Sequence, residues 1–409
     1  MSSQSANGPR VAVVVPTYDR EALVRATLEA LTRQGVPASE FEVVVSDDGS
    51  SDGTRGVVEG FADRLRVRYS FQEDLGFRAA AARNAGVGLT TAPVLVFVDA
   101  GVVPGPDFLA AHLAVHESDP GRPAAVIGYT FGYRPDEPAP ATGAGPTSPE
   151  ELVRHHRDAP DFRDARHLAF ERFGFDLGRC TVPWQWFWSV NCSVRAEDFH
   201  AVGGFDEGFR SWGGEDLELA FRLFRHGVGF AVSRDAWAVE APHPKDSSSN
   251  PESNAANVLL FLRLHPEPVV ELLWAWFTRP RAGLVVDHEW NVEDEHLLFL
   301  DALDRSRSAD VDGAADLLPA PAGRKVAVFG CGRDVRAWPA SAVLFDFDPE
   351  VVAAAGCGVR HAIGIRTPLP DDSVDLVVIT PRLGELWGRW GDAVLREAHR
   401  IGTEVTILG

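Results

Sequence analysis

Lysine is nearly absent from this chain. Lys245 and Lys325 are the two in 409 residues, and arginine supplies the remaining positive charge. Acidic residues outnumber basic ones by 59 to 39, for a formal net charge of -20. That balance argues against a nucleic-acid partner, because phosphate backbones are held mainly by Lys and Arg. An anionic substrate must instead meet a local patch, backbone amides or a metal ion. Cysteine is scarce as well: Cys180, Cys192, Cys331 and Cys357 form no C-x-x-C pair. This excludes the common zinc patterns and a disulfide framework, and fits a reducing cytoplasm. No apolar run is long enough to span a bilayer, and Val269 to Phe277 reads as a buried helix. Met1 to Arg10 lacks the apolar core of a signal peptide, so a cytoplasmic location is expected.

Hydrophobic residues, 45% of the chain, are ample for a core, and the length suggests two domains or one large domain with an appendage. Residues 11–15 (VAVVV), 41–45 (FEVVV) and 94–98 (VLVFV) are short β-branched runs that read as buried parallel strands. Helical patterns follow from Glu21 to Gln34, Gly53 to Arg64 and Ala79 to Gly88. Alternation of this kind predicts an α/β layered fold with a mainly parallel central sheet. Ligands on such sheets lie at the carboxyl ends of strands. Pro16-Thr17-Tyr18, Ser46-Asp47-Asp48 and Asp99-Ala100-Gly101 fall there. Breaker-rich stretches at Arg134 to Pro149 and Ala241 to Asn254 read as loops, and Ala320 to Gly323 as a linker. The expected division is therefore a nucleotide-binding domain over 9–250, a helical extension and linker over 251–319, and a small Rossmann-like α/β unit over 320–409.

Several constellations carry chemistry. Asp47-Asp48-Gly49-Ser50, after a strand, offers a carboxylate to a base or ribose, although turn and cap roles compete. Arg78 and Arg83 suit a diphosphate, whose oxygens match guanidinium forks, and one of the two is expected there. Asp99 stands where a metal-binding acidic pair belongs, with His243 as a second ligand for Mn2+ or Mg2+. The strongest cluster is Trp212-Gly213-Gly214-Glu215-Asp216, a glycine turn delivering two carboxylates to a helix start. One of them can take a proton from an attacking hydroxyl; the competing role is a helix cap. Trp184-Gln185-Trp186-Phe187-Trp188 supplies apolar faces for a sugar ring or for the core.

Taken in order, these motifs resemble an inverting family-two glycosyltransferase of GT-A fold over roughly residues 10–245. Residues 191–227 are similar to the acidic motif of galactosyl- and N-acetylgalactosaminyltransferases. The resemblance implies that Pro16, Thr17, Tyr18 and Asp48 hold uridine, with Arg78, Arg83 and Asp99 beside the donor. It implies a divalent metal on Asp99 and His243, although Gly101 replaces the second acid of the D-x-D element. Asp216 becomes the base, with Glu215 orienting the acceptor and Trp184, Trp186 and Trp212 lining its site. The implied reaction moves a hexose from a UDP-sugar to a hydroxyl of a small molecule or saccharide, as in natural-product or surface-glycan assembly, converting an α-linked donor to a β-glycoside.

Residues 324–409 resemble the first half of an S-adenosylmethionine-dependent methyltransferase, with Gly330-Cys331-Gly332 after a strand and Asp346 where a ribose-binding acid belongs. Arg333 and Asp334 depart from the small residues usual there, which favours a degenerate appendage. Two alternatives therefore stand beside the transferase: a catalytically impaired nucleotide- or carbohydrate-binding protein, and a bifunctional transferase-methyltransferase.

Overall fold

A computed structural model of the chain describes residues 8–135, 148–244, 250–278, 291–307 and 323–408. Most of the loop expected at Arg134 to Pro149 and of the linker at Ala320 to Gly323 lies outside the described residues. These residues divide into two compact units, one running to Asn257 and the other from Val258 onward. The helices Pro268–Phe277 and Val292–Arg307 therefore group with the C-terminal sheet. No helix among the described residues is long and apolar enough to cross a membrane.

The first unit is built on eight strands: β1 (Val11–Thr17), β2 (Phe41–Asp47), β3 (Val67–Phe71), β4 (Val94–Val98), β5 (Val102–Pro104), β6 (Ala124–Phe131), β7 (Asn191–Arg195) and β8 (Gly229–Glu240). Their order is β3-β2-β1-β4-β7-β6-β8-β5. The pairings β1–β2, β2–β3, β1–β4 and β6–β8 are parallel, whereas β4–β7, β6–β7 and β5–β8 are antiparallel. The apolar runs of β1, β2 and β4 are buried on both faces, as helix-covered parallel strands require. The helix Glu21–Leu31 buries Val24, Thr27, Leu28 and Leu31, a helical repeat facing one side. Each fully buried Val or Leu contributes about 1.5–3 kcal/mol.

Register then decides what meets at the sheet's edge. Thr17 lies opposite Asp47, and Val98 opposite Asn191. The carboxyl ends of β1, β2 and β4 therefore share a rim with the start of β7.

The second unit carries a five-stranded parallel sheet: β9 (Val326–Phe329), β10 (Val343–Asp346), β11 (Val359–His361), β12 (Val374–Ile379) and β13 (Gly402–Ile407), in the order β11-β10-β9-β12-β13. That order, stepping outward on both sides of the first strand, is the Rossmann-like arrangement expected for this region. Its core takes Leu272, Phe299 and Leu303 from the preceding helices, packed with Phe329 and Phe345. Glu271, fully buried there, accepts the backbone N–H groups of Gly364 at 3.1 Å and Arg366 at 3.0 Å.

Candidate active site

At the ends of β1 and β2, the Asp48 N–H donates to the Thr17 carbonyl at 2.9 Å, locking the two strand ends together. Asp47 accepts the N–H groups of Gly49 at 3.0 Å and Ser50 at 2.7 Å, the local turn chemistry of aspartate. Asp48 is buried and accepts the Arg78 N–H at 2.7 Å and the Gln72 amide, with an Arg78 guanidinium nitrogen at 3.3 Å. It thus draws the segment bearing Arg78 across the strand ends. Tyr18 is exposed on this shelf, its hydroxyl donating to Asp74 at 3.1 Å, while Thr17 is buried.

The acidic turn forms because its glycines accept left-handed backbone. Gly213 has φ +90° and Gly214 has φ +93°, and the helix Glu215–Arg225 starts directly after them. A Cβ on Gly213 would lie 2.2 Å from Asn254 Oδ1, so the turn is also sterically reserved for glycine. Asn257 clasps it from the following helix: its amide donates to the carbonyls of Ser211 at 2.9 Å and Gly213 at 2.6 Å. Asp216, half-buried in the first helical turn, accepts the Ser189 N–H on Oδ2 at 3.1 Å. Burial and the neighbouring Glu215 charge push the Asp216 carboxyl up to about 7, the range a general base needs. Two backbone N–H groups and Arg83 pull it the other way.

Arg83 lies in a different place from a diphosphate fork. It is 4% exposed, and its two terminal nitrogens meet Glu215 at 2.9 Å and Asp99 at 3.0 Å. Asn84 beside it donates to the Phe205 carbonyl at 2.9 Å and to Glu207 at 3.0 Å. The Arg83-Asn84 pair therefore joins the helix Ala79–Val87 to the segment Phe205–Glu207 and to the Trp212–Asp216 turn.

The tryptophan cluster divides. Trp184 is 1% exposed against Phe221 and Trp186 is 3% exposed near Phe170, so both are core residues and present no ring to an acceptor. Trp188 is half-buried, 6.0 Å from the Tyr133 ring, and directly precedes Ser189. Burial, with the charges of Asp99, Glu240 and Asp216, pushes the Tyr133 phenol well above the ordinary value. Trp212 remains half-buried in the turn.

For a metal ion the donor set is small. Gly101 has φ +97°, and a Cβ there would crowd Leu23 at 3.2 Å, so backbone and packing both disfavour an acid. Among the described residues no three His, Cys, Asp or Glu side chains converge as a metal cluster. Asp99 and His243 do sit on adjoining segments, because the Ala241 N–H donates to the Gly101 carbonyl at 2.8 Å. Asp99 keeps 39% exposure beside its Arg83 contact. Asp99 and His243 would offer two donors to an ion whose remaining ligands come from a diphosphate.

Tyr133, Ser189, Asn254 and Asn257 carry no motif in the sequence, and Trp188 stands out there only as one of the aromatic cluster. Asn254 and Asn257 had one signal, a three-residue spacing that puts two amides on one helix face. For Tyr133 and Ser189 no local pattern exists.

In the second unit, the fully buried Asp346 has both oxygens engaged: by the N–H groups of Gly332 at 2.9 Å and Asp348 at 3.0 Å, and by Arg382 at 3.0 Å. Arg382 also reaches Asp348 at 3.2 Å, and Arg307 meets the same Asp348 at 2.8 Å. The acid expected to face a ribose is neutralised by the chain itself.

Comparison with known proteins follows this layout. A model described as glycosyl transferase family 2 matches residues 12–184. A second, described as the N-terminal domain of galactosyltransferase, matches residues 170–241 and so spans the acidic turn. The validoxylamine A glucosyltransferase of Streptomyces hygroscopicus subsp. jinggangensis (strain 5008) is 42% identical over 99% of this chain and 98% of its own. The hyaluronan synthase of Pasteurella multocida is 28% identical over 64% of this chain and 27% of its own. The crystal structure of S. aureus TarS 1-349 in complex with UDP-GlcNAc has 18% identity and a TM-score of 0.46, covering 76% of each chain. Identity at this level over 99% of the chain, with the family match over residues 12–184, makes the protein a glycosyltransferase that belongs to glycosyl transferase family 2.

Proposed function

We propose that the protein moves glucose, or a closely related hexose, from its UDP-sugar to a hydroxyl of a small aminocyclitol or polyol, with inversion at the anomeric carbon. The observation that carries the reading is Asp216 at the head of its helix, oriented by the Ser189 N–H and raised by burial and by Glu215 into the range of a base. The name of the full-length relative supports both the sugar and the class of acceptor.

In this mechanism Pro16, Thr17, Tyr18 and Asp48 hold the nucleotide, and Arg78 faces its diphosphate. Asp99 and His243 would hold a Mn2+ or Mg2+ ion brought by the donor, and such an ion neutralises diphosphate charge. The acceptor hydroxyl attacks the anomeric carbon and its proton passes to Asp216. As the new C–O bond forms, the bond to the β-phosphate oxygen breaks and its electron pair leaves with UDP. Glu215 orients the acceptor side, and Trp188, Tyr133 and Trp212 offer the flat faces beside it. Transfer is assigned to the first unit, which runs to Asn257, and the helices Pro268–Phe277 and Val292–Arg307 go with the C-terminal appendage. A reducing cytoplasm is the proposed compartment, in keeping with four cysteines, Cys180, Cys192, Cys331 and Cys357, that form no C-x-x-C pair.

The test is incubation with UDP-glucose and validoxylamine A, with products read by mass spectrometry and proton NMR. A glucosylated product with a β-type anomeric coupling supports the reading. An α-type coupling would overturn inversion, and no transfer from any UDP-hexose would overturn the donor assignment.

A further inference from the structure

Arg83 is a buried cation between two carboxylates that belong to opposite halves of the reaction. Its Nη1 meets Glu215 at 2.9 Å and its Nη2 meets Asp99 at 3.0 Å. The guanidinium lies 5.4 Å from the centre of the Phe205 ring, which itself packs edge-on against Phe97 of β4 at 5.2 Å. Asn84, the next residue, holds the Phe205 backbone from both sides, accepting its N–H at 3.0 Å and donating to its carbonyl at 2.9 Å. The fork is therefore fixed at three points: two acids and an aromatic face that is itself anchored.

We propose that Arg83 is the positioning residue of the transfer site, bridging Asp99 on the donor side to Glu215 on the acceptor side so that Asp216 stands at a fixed distance from the bound sugar. The inference rests on Asp216 being the base. Arginine is suited to the task because its planar fork meets two carboxylates at once, whereas a lysine ammonium is a point charge on a flexible stem. The bridge also compensates charge. Asp216 faces Glu215 on its own helix, Arg83 from the helix Ala79–Val87, and Tyr133 and Cys192 from the neighbouring sheet segments, with Asp99 beyond Arg83. Arg83 is the cation among these groups that favours the ionised base.

The full chain carrying Arg83→Gln is expected to lose roughly 100-fold in kcat, the scale of an ångström-sized misplacement of reacting groups, with little change in donor KM. The acidic limb of its kcat–pH profile should move to higher pH, because two uncompensated acids then surround Asp216. The Arg83→Gln/Glu215→Gln double variant should bring the limb back down, since the charge and its partner leave together. Arg83→Lys should lower kcat with a smaller shift of the limb. An unmoved limb in Arg83→Gln, or a limb equally displaced in the double variant, would overturn the proposal. If Arg83→Gln does not fold, the double variant and Arg83→Lys carry the same comparison against Glu215→Gln. Asp216→Asn separates the two levels. An active Asp216→Asn enzyme removes the base assignment itself, whereas an inactive one beside a normal Arg83→Gln enzyme removes this inference alone.

Discussion

Ser189 donates its backbone N–H to Asp216 Oδ2 at 3.1 Å, joining the start of β7 to the head of the helix Glu215–Arg225. The same short segment also meets the end of β4, since the Asp99 N–H approaches the Val190 carbonyl at 3.4 Å. Asp216 and Asp99 are thus referenced to one stretch of backbone. Asp216→Asn keeps the shape and the hydrogen bond but removes the proton acceptor. It should lower kcat by about 100-fold to 10,000-fold, the typical worth of general-base catalysis, while UDP affinity by calorimetry is retained. Because the Asp216 carboxyl is pushed up to about 7, the wild-type kcat should fall as pH drops through that value and plateau above it. A flat profile through that range, or near-normal turnover in the variant, would count against Asp216.

Asp99 and His243 make a separate prediction about metal. Calorimetric titration of UDP with Mn2+ should show tighter binding than titration in a chelator, and Asp99→Ala and His243→Ala should each erase most of that difference. Equal affinities with and without Mn2+ would leave the diphosphate to Arg78 and the backbone of its loop.

Behind the sheet, His112 and His116 bracket the Ser193 hydroxyl at 2.9 Å and 2.8 Å, and His112 also meets Asn191 at 3.0 Å. Burial pushes His112 down to about 3 and His116 to about 4. Both are neutral when folded, while the unfolded chain takes up protons from about pH 6.5 downward. The stability they contribute is therefore present above that pH and lost as pH falls toward the folded values, with a limiting slope of about 2.7 kcal/mol per pH unit for the two. Urea midpoints measured between about pH 8 and pH 5 should drop on the acid side. A His112→Gln/His116→Gln chain should show a flatter dependence, and an equal slope would refute the account.

In the second unit, Arg382 occupies the partner position of Asp346, so S-adenosylmethionine should give no calorimetric signal with the full chain. Arg382→Ala leaves a buried carboxylate uncompensated and should cost about 3–5 kcal/mol. Measurable S-adenosylmethionine binding by the wild-type chain would restore the bifunctional reading.

The two sheets differ from the sequence reading in instructive places. β1, β2 and β4 were legible because an unbroken β-branched run can be satisfied only by burial on both faces. β3 is less legible: Val67-Arg68-Tyr69-Ser70-Phe71 alternates apolar and polar residues as a half-buried edge strand does, and lacks the unbroken apolar run that marks β1, β2 and β4. Trp184 and Trp186 are chemically as fit for sugar stacking as Trp188. Burial at 1% and 3% separates them, and burial depends on what packs opposite.

The site divides along the same line. Residue identity and local spacing by themselves determined that strand ends would carry Thr17, Asp48 and Asp99, and that the glycines at 213 and 214 would hand Glu215 and Asp216 to a helix, because turns and short strands answer to neighbours a few positions away. The tertiary structure alone decided that Arg83 would face Glu215 across 132 residues instead of a diphosphate, that Ser189 would orient Asp216, and that Arg382 would close over Asp346. Each of those contacts depends on which segments the sheet register brings together, and register is set by the packing of the whole unit rather than by any local run of residues.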